Sequence, residues 1–568
     1  MKVVLEQMLF INVFFLLAII AVTILFITDK VKEKDSEVGT IVEPIEFNKI
    51  VRYLLIALIG VFVFLRLYGF GEVPGGVNQD GAMAAVDAKA LADYGTDRFG
   101  TRLPAHLYAW GYGQMSSLMS YCMVPFIKLF GLNVITMRLP VLIASLMGIA
   151  AFFFMFKKLF SKDAALIAAL LVAINPWHFM QSRWALDCNM FPHMFIIGLV
   201  FLIYGVNRKL YVYISMIFFA LCMYSYGVAF FMVPLFLLAA AIVLLLLKLI
   251  KMRQVVLAVV IYFVISLPIY ITMLINAKGW DTISLPFVTI QYFPDSIRTN
   301  DMLFFSDDPG SQMIMNIRTM INLVVFQKPD LIWNSIDAFG TMYICSIPLL
   351  FMGFFICLHK CIKEKCSEKR AVYLLLVIYS VCATLVGIFI NDVNVNRINI
   401  IFYANIIFMA VSIYHLVSWK KYTSAALTVA YGVLSVLFVV NYFYSWKDQI
   451  KQYFYSDFMD ALNYVGDMDY DKCYITPDTQ YEGSRDVSEI LTLFGLDIDA
   501  EYFQGKTNEF GGKSIPYNER YIYSNPATDK PISNDKVIYI IRSSAYDNYD
   551  FSEWVVNDFG EYYVITAE

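Results

Sequence analysis

The sequence predicts an α-helical polytopic membrane protein of about 12 transmembrane helices, carrying a small C-terminal α/β domain. Three observations carry that prediction. Hydrophobic residues make up 59% of the 568-residue chain and only 16% are charged, whereas a soluble domain carries about 25% charged residues. The mean hydropathy is +0.62, and many windows hold the roughly 20 apolar residues that cross a bilayer. Charge is also divided along the chain. From residue 445 onward 23 acids face 10 bases, a balance of −13, while the rest holds 24 acids and 33 bases, a balance of +9. An acidic polar tail on a basic membrane body argues against nucleic acid as a partner. It makes membrane lipids the body's natural surroundings.

Spans are expected near 8–28, 53–70, 139–156, 164–179, 189–206, 211–228, 230–249, 255–275, 341–358, 371–390, 398–417 and 424–443. The first is too long for a signal peptide and lacks a small-residue cleavage site, so it reads as a helix. Lys and Arg gather at 30–52, 157–162, 208–209, 248–253, 360–370 and 420–421. The positive-inside rule assigns all of these to the cytoplasm. One apolar stretch, 114–131, breaks the alternation. It contains Gln114, Pro125 and Lys128, and it reads as a re-entrant or surface-lying helix, which is permitted where protein covers the backbone.

The chain then divides into three parts. Residues 1–52 form an N-terminal transmembrane helix and cytoplasmic linker. Residues 53–443 form the membrane domain, with long outer loops at 71–138 and 276–340. Residues 444–568 form an extracytoplasmic α/β domain. In this tail Ser456–Val465 and Val487–Phe494 read as helices. Lys472–Ile475, Lys536–Ile541 and 561–566 read as strands.

Two acids stand out. Asp80, in Pro74-Gly75-Gly76-Val77-Asn78-Gln79-Asp80, follows the second span and opens a helix expected over Gly81–Tyr94. Asp187, in Ser182-Arg183-Trp184-Ala185-Leu186-Asp187, lies at a boundary on the same expected face. Ionisable groups at membrane boundaries are functional suspects. Asp80 suits a helix N-cap and also a general base, and the two roles are compatible. Arg183 and Asp187 are spaced i, i+4, so on a helix they share one face. They read either as a structural ion pair or as a site pair in which Arg183 holds a phosphate. Arg397, among Asn391, Asn394, Asn396 and Asn399, reads either as a snorkelling side chain or as a phosphate ligand. Arg102 is a further phosphate candidate, and Arg66 and Arg138 are weaker ones. Asp87 and Lys89 read as solvated helix charges, and His178 as a satisfied boundary histidine. The five histidines show no metal spacing, and Cys361 and Cys366 lack the partners of a four-ligand zinc site. No metal or cofactor is expected.

These motifs resemble the C-type glycosyltransferase superfamily, GT-C. The resemblance rests on the Pro74–Asp80 opening, Phe130-Gly131-Leu132-Asn133, Met137-Arg138-Leu139-Pro140 and Lys157-Lys158-Leu159-Phe160. Asn175-Pro176-Trp177-His178, leading to Arg183 and Asp187, completes it. It covers about 53–210 and points to bacterial relatives of protein O-mannosyltransferases and of the lipid A aminoarabinose transferase. It implies a polyprenyl-phosphate sugar donor, transfer at the outer face of the cell membrane, and Asp80 and Asp187 as the two loop acids. The acceptor could be a glycan, a glycolipid or a protein. Many members carry Asp-Glu where this chain has Asp80-Gly81, which lessens any expectation of metal dependence. A lipid or glycan flippase, a transporter, a polymerase or ligase of different fold, and a non-catalytic relative are the alternative readings.

Overall fold

The computed structural model describes residues 2–35, 46–110, 113–294, 303, 308–481, 484–528 and 536–567. The expected cytoplasmic linker lies partly outside the described residues, at 36–45. The helices run α1 (Lys2–Asp35), α2 (Lys49–Leu67), α3 (Gln79–Tyr94), α4 (Leu118–Phe130), α5 (Val134–Leu159), α6 (Lys162–Ile174) and α7 (Pro176–Gln181). They continue with α8 (Met190–Gly205), α9 (Leu210–Cys222), α10 (Ala229–Leu246), α11 (Met252–Lys278) and α12 (Pro309–Met320). After these come α13 (Ile347–Lys363), α14 (Ser367–Phe389), α15 (Ile400–Trp419), α16 (Lys421–Asn441) and α17 (Lys447–Ile450). Ten helices among the described residues are long and apolar enough to cross a membrane.

Two expected spans take a shorter form. The stretch near 164–179 breaks at Asn175, whose side chain accepts the His178 amide while Pro176 opens α7. Proline lacks the N–H that continuing α6 would need, yet it suits a first turn. The stretch near 211–228 stops at Cys222 and ends in turns. Helices α6 and α9 are 13 residues long, a rise of about 20 Å against a hydrocarbon core of roughly 30 Å.

Helix α4, also 13 residues, is the apolar stretch that broke the charge alternation. The chain returns to the end it left. Arg138, near the start of α5, donates to the carbonyls of Phe70, Pro74 and Gly76 just beyond α2. A Cβ on Gly71 would lie 3.2 Å from Ile135. Both ends of the 71–138 segment therefore sit at one end of the bundle, as expected. The basic loops share the other end, where Arg52 pairs with Asp163 at 2.8 Å. There Asn207 also joins Lys158 to Glu368.

Between α3 and α4 a hairpin forms from β1 (His106–Ala109) and β2 (Gly113–Ser116). A second, β3 (Ile283–Leu285) with β4 (Val288–Ile290), sits in the 276–340 loop. The tail holds α18 (Ser456–Gly466), β5 (Lys472–Ile475), α19 (Arg485–Gly495) and the small hairpin β6 (Glu509–Phe510) and β7 (Lys513–Ser514). It ends with β8 (Tyr521–Ile522), β9 (Val537–Arg542), β10 (Trp554–Asp558) and β11 (Tyr562–Ala567). The five-stranded sheet has the order β10-β11-β9-β5-β8, with β5 parallel to β8 and β9, and β11 antiparallel to β9 and β10. All five tail elements read from the sequence are present. The sheet gains β8 and the edge strand β10.

The tail docks on α3. Tyr94 donates to Asp499 at 2.7 Å, Gln504 donates to the Arg98 carbonyl at 3.0 Å, and Lys89 lies 3.6 Å from Asp497.

Candidate active site

The site begins with a turn held by buried arginines. In and beyond the last turn of α2 the backbone from Leu65 to Gly76 presents carbonyl oxygens that lack a helical amide partner. Arg183, fully buried, donates to the carbonyls of Leu65, Arg66, Tyr68, Gly69 and Val73 at 2.6–3.2 Å. Arg138 takes the next three, at Phe70, Pro74 and Gly76. Arg66 caps its own helix at Phe62 and reaches the Ala173 carbonyl. Planar guanidinium forks suit such clusters of acceptors because each offers five fixed donors. The C-terminal junction completes the support, since the Val77 amide donates to the Phe454 carbonyl at 2.5 Å.

This arrangement corrects the sequence reading of Arg183. The chain leaves helix at Ser182, so Arg183 and Asp187 do not share a helical face. The terminal nitrogens of Arg183 are directed at backbone carbonyls, not at an open phosphate subsite. Arg138 and Arg66, the weaker candidates, are engaged in the same way.

The turn delivers Asp80 to the first turn of α3. Here too the structure differs from expectation. Asn78 is the N-cap, accepting from the amides of Asp80 and Gly81, and the helix starts at Gln79. Asp80 is half-buried, and its Oδ1 accepts from the Trp110 indole at 2.9 Å. Asp187 opens a short 3-10 helix leading into α8, with its Oδ1 on the Cys188 amide at 2.7 Å.

Gly81 brings the two acid-bearing segments together. A Cβ there would lie 2.8 Å from the Ala185 carbonyl oxygen and 3.4 Å from Met137 Sδ. A side chain at residue 81 would meet the backbone two residues before Asp187, so glycine suits this position in the chain. Gly81→Ala is the direct check. Alanine favours a helix by about 1 kcal/mol over glycine, but overpacking against fixed backbone costs about 1–3 kcal/mol. The collision should win, giving a lower Tm and reduced turnover in detergent. An unchanged Tm with normal turnover would show that Ala185 yields freely.

Arg397 stands on the loop before α15, partly exposed, with Nη1 on the Asn391 carbonyl at 2.6 Å and 4.0 Å from Asp392. Asp330, from the 276–340 loop, accepts the Val395 amide at 2.6 Å and fixes this loop. Burial raises the Asp330 carboxyl despite the amides that bond it. Asn399 donates to the Cys188 carbonyl at 2.7 Å, tying the Arg397 loop to the Asp187 helix. Arg102 is exposed in the α3–β1 connection. Asp87, expected to be solvated, is instead buried and paired with Arg98 at 2.5 Å. Burial pushes its carboxyl up to about 7 against the opposing pull of Arg98.

His178 is satisfied, as expected, and fully buried. Arg66 must donate, so His178 Nδ1 accepts at 3.0 Å and its Nε2 carries the proton toward Tyr403 at 2.9 Å. Tyr403 then donates to His193 Nδ1 at 2.7 Å. This chain joins α2, α7, α15 and α8. Among the described residues, no group of three His, Cys, Asp or Glu side chains is placed to hold a metal.

Residues 116–271 match the family model described as dolichyl-phosphate-mannose-protein mannosyltransferase. The chain is also similar to a solved structure, ArnT from Cupriavidus metallidurans bound to undecaprenyl phosphate. That match spans 91% of this chain and 98% of ArnT, with a TM-score of 0.51 at 13% identity. The chain has the GT-C membrane glycosyltransferase fold. The chain is also similar to the Archaeoglobus fulgidus oligosaccharyltransferase in its apo form, over 88% of this chain and 71% of that one, with a TM-score of 0.47 at 12% identity. No curated protein sequence matches the chain significantly. Within the GT-C frame, sequence reasoning missed Asn78, Trp110 and Asp330. Only Asn78 carried a local signal, as a capping residue two positions before Asp80.

Proposed function

We propose that the chain transfers a sugar from a polyprenyl-phosphate donor to an acceptor hydroxyl on the outer face of the membrane. The supporting observation is the junction at Gly81 and Ala185, which joins the Asp80 and Asp187 segments at the end of the bundle away from the basic loops. The positive-inside rule makes that end the outer one. The solved ArnT structure holds undecaprenyl phosphate, which supports a lipid-phosphate donor here. The acceptor is a glycan, a glycolipid or a protein.

The acceptor oxygen attacks the anomeric carbon, and its proton passes to Asp80. The bond from that carbon to the phosphate oxygen breaks, and its electron pair leaves with the lipid phosphate. Phosphate is a good leaving group, so the step needs a base more than an acid. It also needs cations where negative charge develops. Arg397 and Arg102 are the partly open and exposed cations for that task. Asp187 orients the acceptor.

The test is sugar transfer from donor lipid by purified protein, with donor binding measured separately. Arg397→Ala should weaken donor affinity by about tenfold or more, the loss of one charge-assisted contact. Arg397→Lys should restore part of it, because the charge returns without the fork. Unchanged donor affinity in the Ala variant would return Arg397 to a loop brace among the asparagines.

A further inference from the structure

Trp110 stands at the tip of the β1–β2 hairpin with φ at +47°. That left-handed conformation is unusual for a bulky side chain and persists only where the surroundings impose it. The hairpin's base is fixed from several directions. Ser117 donates to the Ala105 carbonyl at 2.7 Å, Tyr121 to the Pro104 carbonyl at 3.0 Å, and the Ala105 amide to the Thr289 carbonyl at 2.8 Å. The hairpin carries the Trp110 indole to Asp80, 30 residues away in sequence, with Nε1 2.9 Å from Oδ1.

We infer that Trp110 is a positioning residue for the chemical step, setting the plane of the Asp80 carboxylate that receives the acceptor's proton. The inference rests on the reading of Asp80 as the base. Its physical basis is the terminal torsion of aspartate, which is broad and roughly two-fold. Without a fixed donor the carboxylate plane is poorly defined. A base works only when its accepting oxygen meets the proton in line and within hydrogen-bond reach. The indole offers a single N–H in a fixed direction and accepts nothing. It can therefore hold an ionised carboxylate without competing for the acceptor's proton.

The experiment uses the full-length protein in detergent and a polyprenyl-phosphate-linked sugar purified from the source membranes. It compares Trp110→Phe, Trp110→His, Asp80→Asn and the double variant Trp110→Phe/Asp80→Asn, each checked for fold by Tm. Phenylalanine keeps a ring and removes the donor, whereas histidine returns a ring N–H. Trp110→Phe should lower kcat roughly 10- to 100-fold, the scale of a misplaced catalytic group, with KM for the donor little changed. Trp110→His should recover part of that loss. In the Asp80→Asn background the Phe substitution should cost nothing more, because residues acting as a unit are not additive. A normal kcat in Trp110→Phe beside an inactive Asp80→Asn would overturn the positioning role alone. A raised KM at unchanged kcat would do the same and make the ring a substrate contact. Full turnover in Asp80→Asn would remove the underlying base assignment instead.

Discussion

Asp80→Asn should reduce sugar transfer by about 10²- to 10⁴-fold, the usual cost of losing a general base. The structure makes this substitution unusually clean. Asn78, not Asp80, caps α3, so the helix start keeps its hydrogen bonds. Asparagine also retains an oxygen able to accept the Trp110 indole at the position of Oδ1. Shape, capping and the hairpin contact all persist, while the negative charge and the ability to take a proton are lost. Asp187→Asn should be impaired as well, but less if Asp187 orients the acceptor, since its Oδ1 bond to the Cys188 amide can survive. The measurement is kcat for transfer from purified donor lipid at matched Tm. Near-normal turnover in Asp80→Asn would pass the base assignment to Asp187 or end it.

Much of the scaffold was legible because hydropathy is a windowed property that needs no tertiary knowledge. The charge alternation also singled out 114–131 as the apolar stretch that breaks the pattern, and Arg138 on the Phe70, Pro74 and Gly76 carbonyls brings the two ends of the 71–138 segment together. Legibility failed where a local rule had two competing answers. Asn78 and Asp80 are both capping residues, and only the chain's entry angle selects the first. The i, i+4 reading of Arg183 and Asp187 assumed a helix through Ser182, yet the chain turns there. The strand β10 escaped because it is an exposed edge without alternating burial. Trp110 had no local signal at all, since its contact with Asp80 depends on how the hairpin folds over α3.

Arg183 carries the other large expectation. If its role is to clasp carbonyls, Arg183→Ala should fail first in stability, before any measure of donor binding. The substitution strips donors from five carbonyls in a buried turn. A buried acceptor left unpaired costs about 1–3 kcal/mol. The Gly69 carbonyl keeps the Glu72 and Val73 amides, and even if water or relaxation rescues two of the other four, the remaining two cost roughly 2–6 kcal/mol. That is a large share of a total stability of roughly 5–15 kcal/mol. Arg183→Lys should rescue little, because one ammonium has three donors on a single nitrogen and cannot span the fork's reach. This outcome separates the clasp from a phosphate ligand. A phosphate ligand replaced by Lys keeps its charge and much of its affinity, and its Ala variant keeps its fold. A folded Arg183→Ala protein with an unchanged Tm and a specific loss of donor binding would restore the phosphate role. A sharp fall in Tm for both variants, with the turn before Asp80 loosened, would instead show that this buried cation serves the site by holding the backbone that delivers the base.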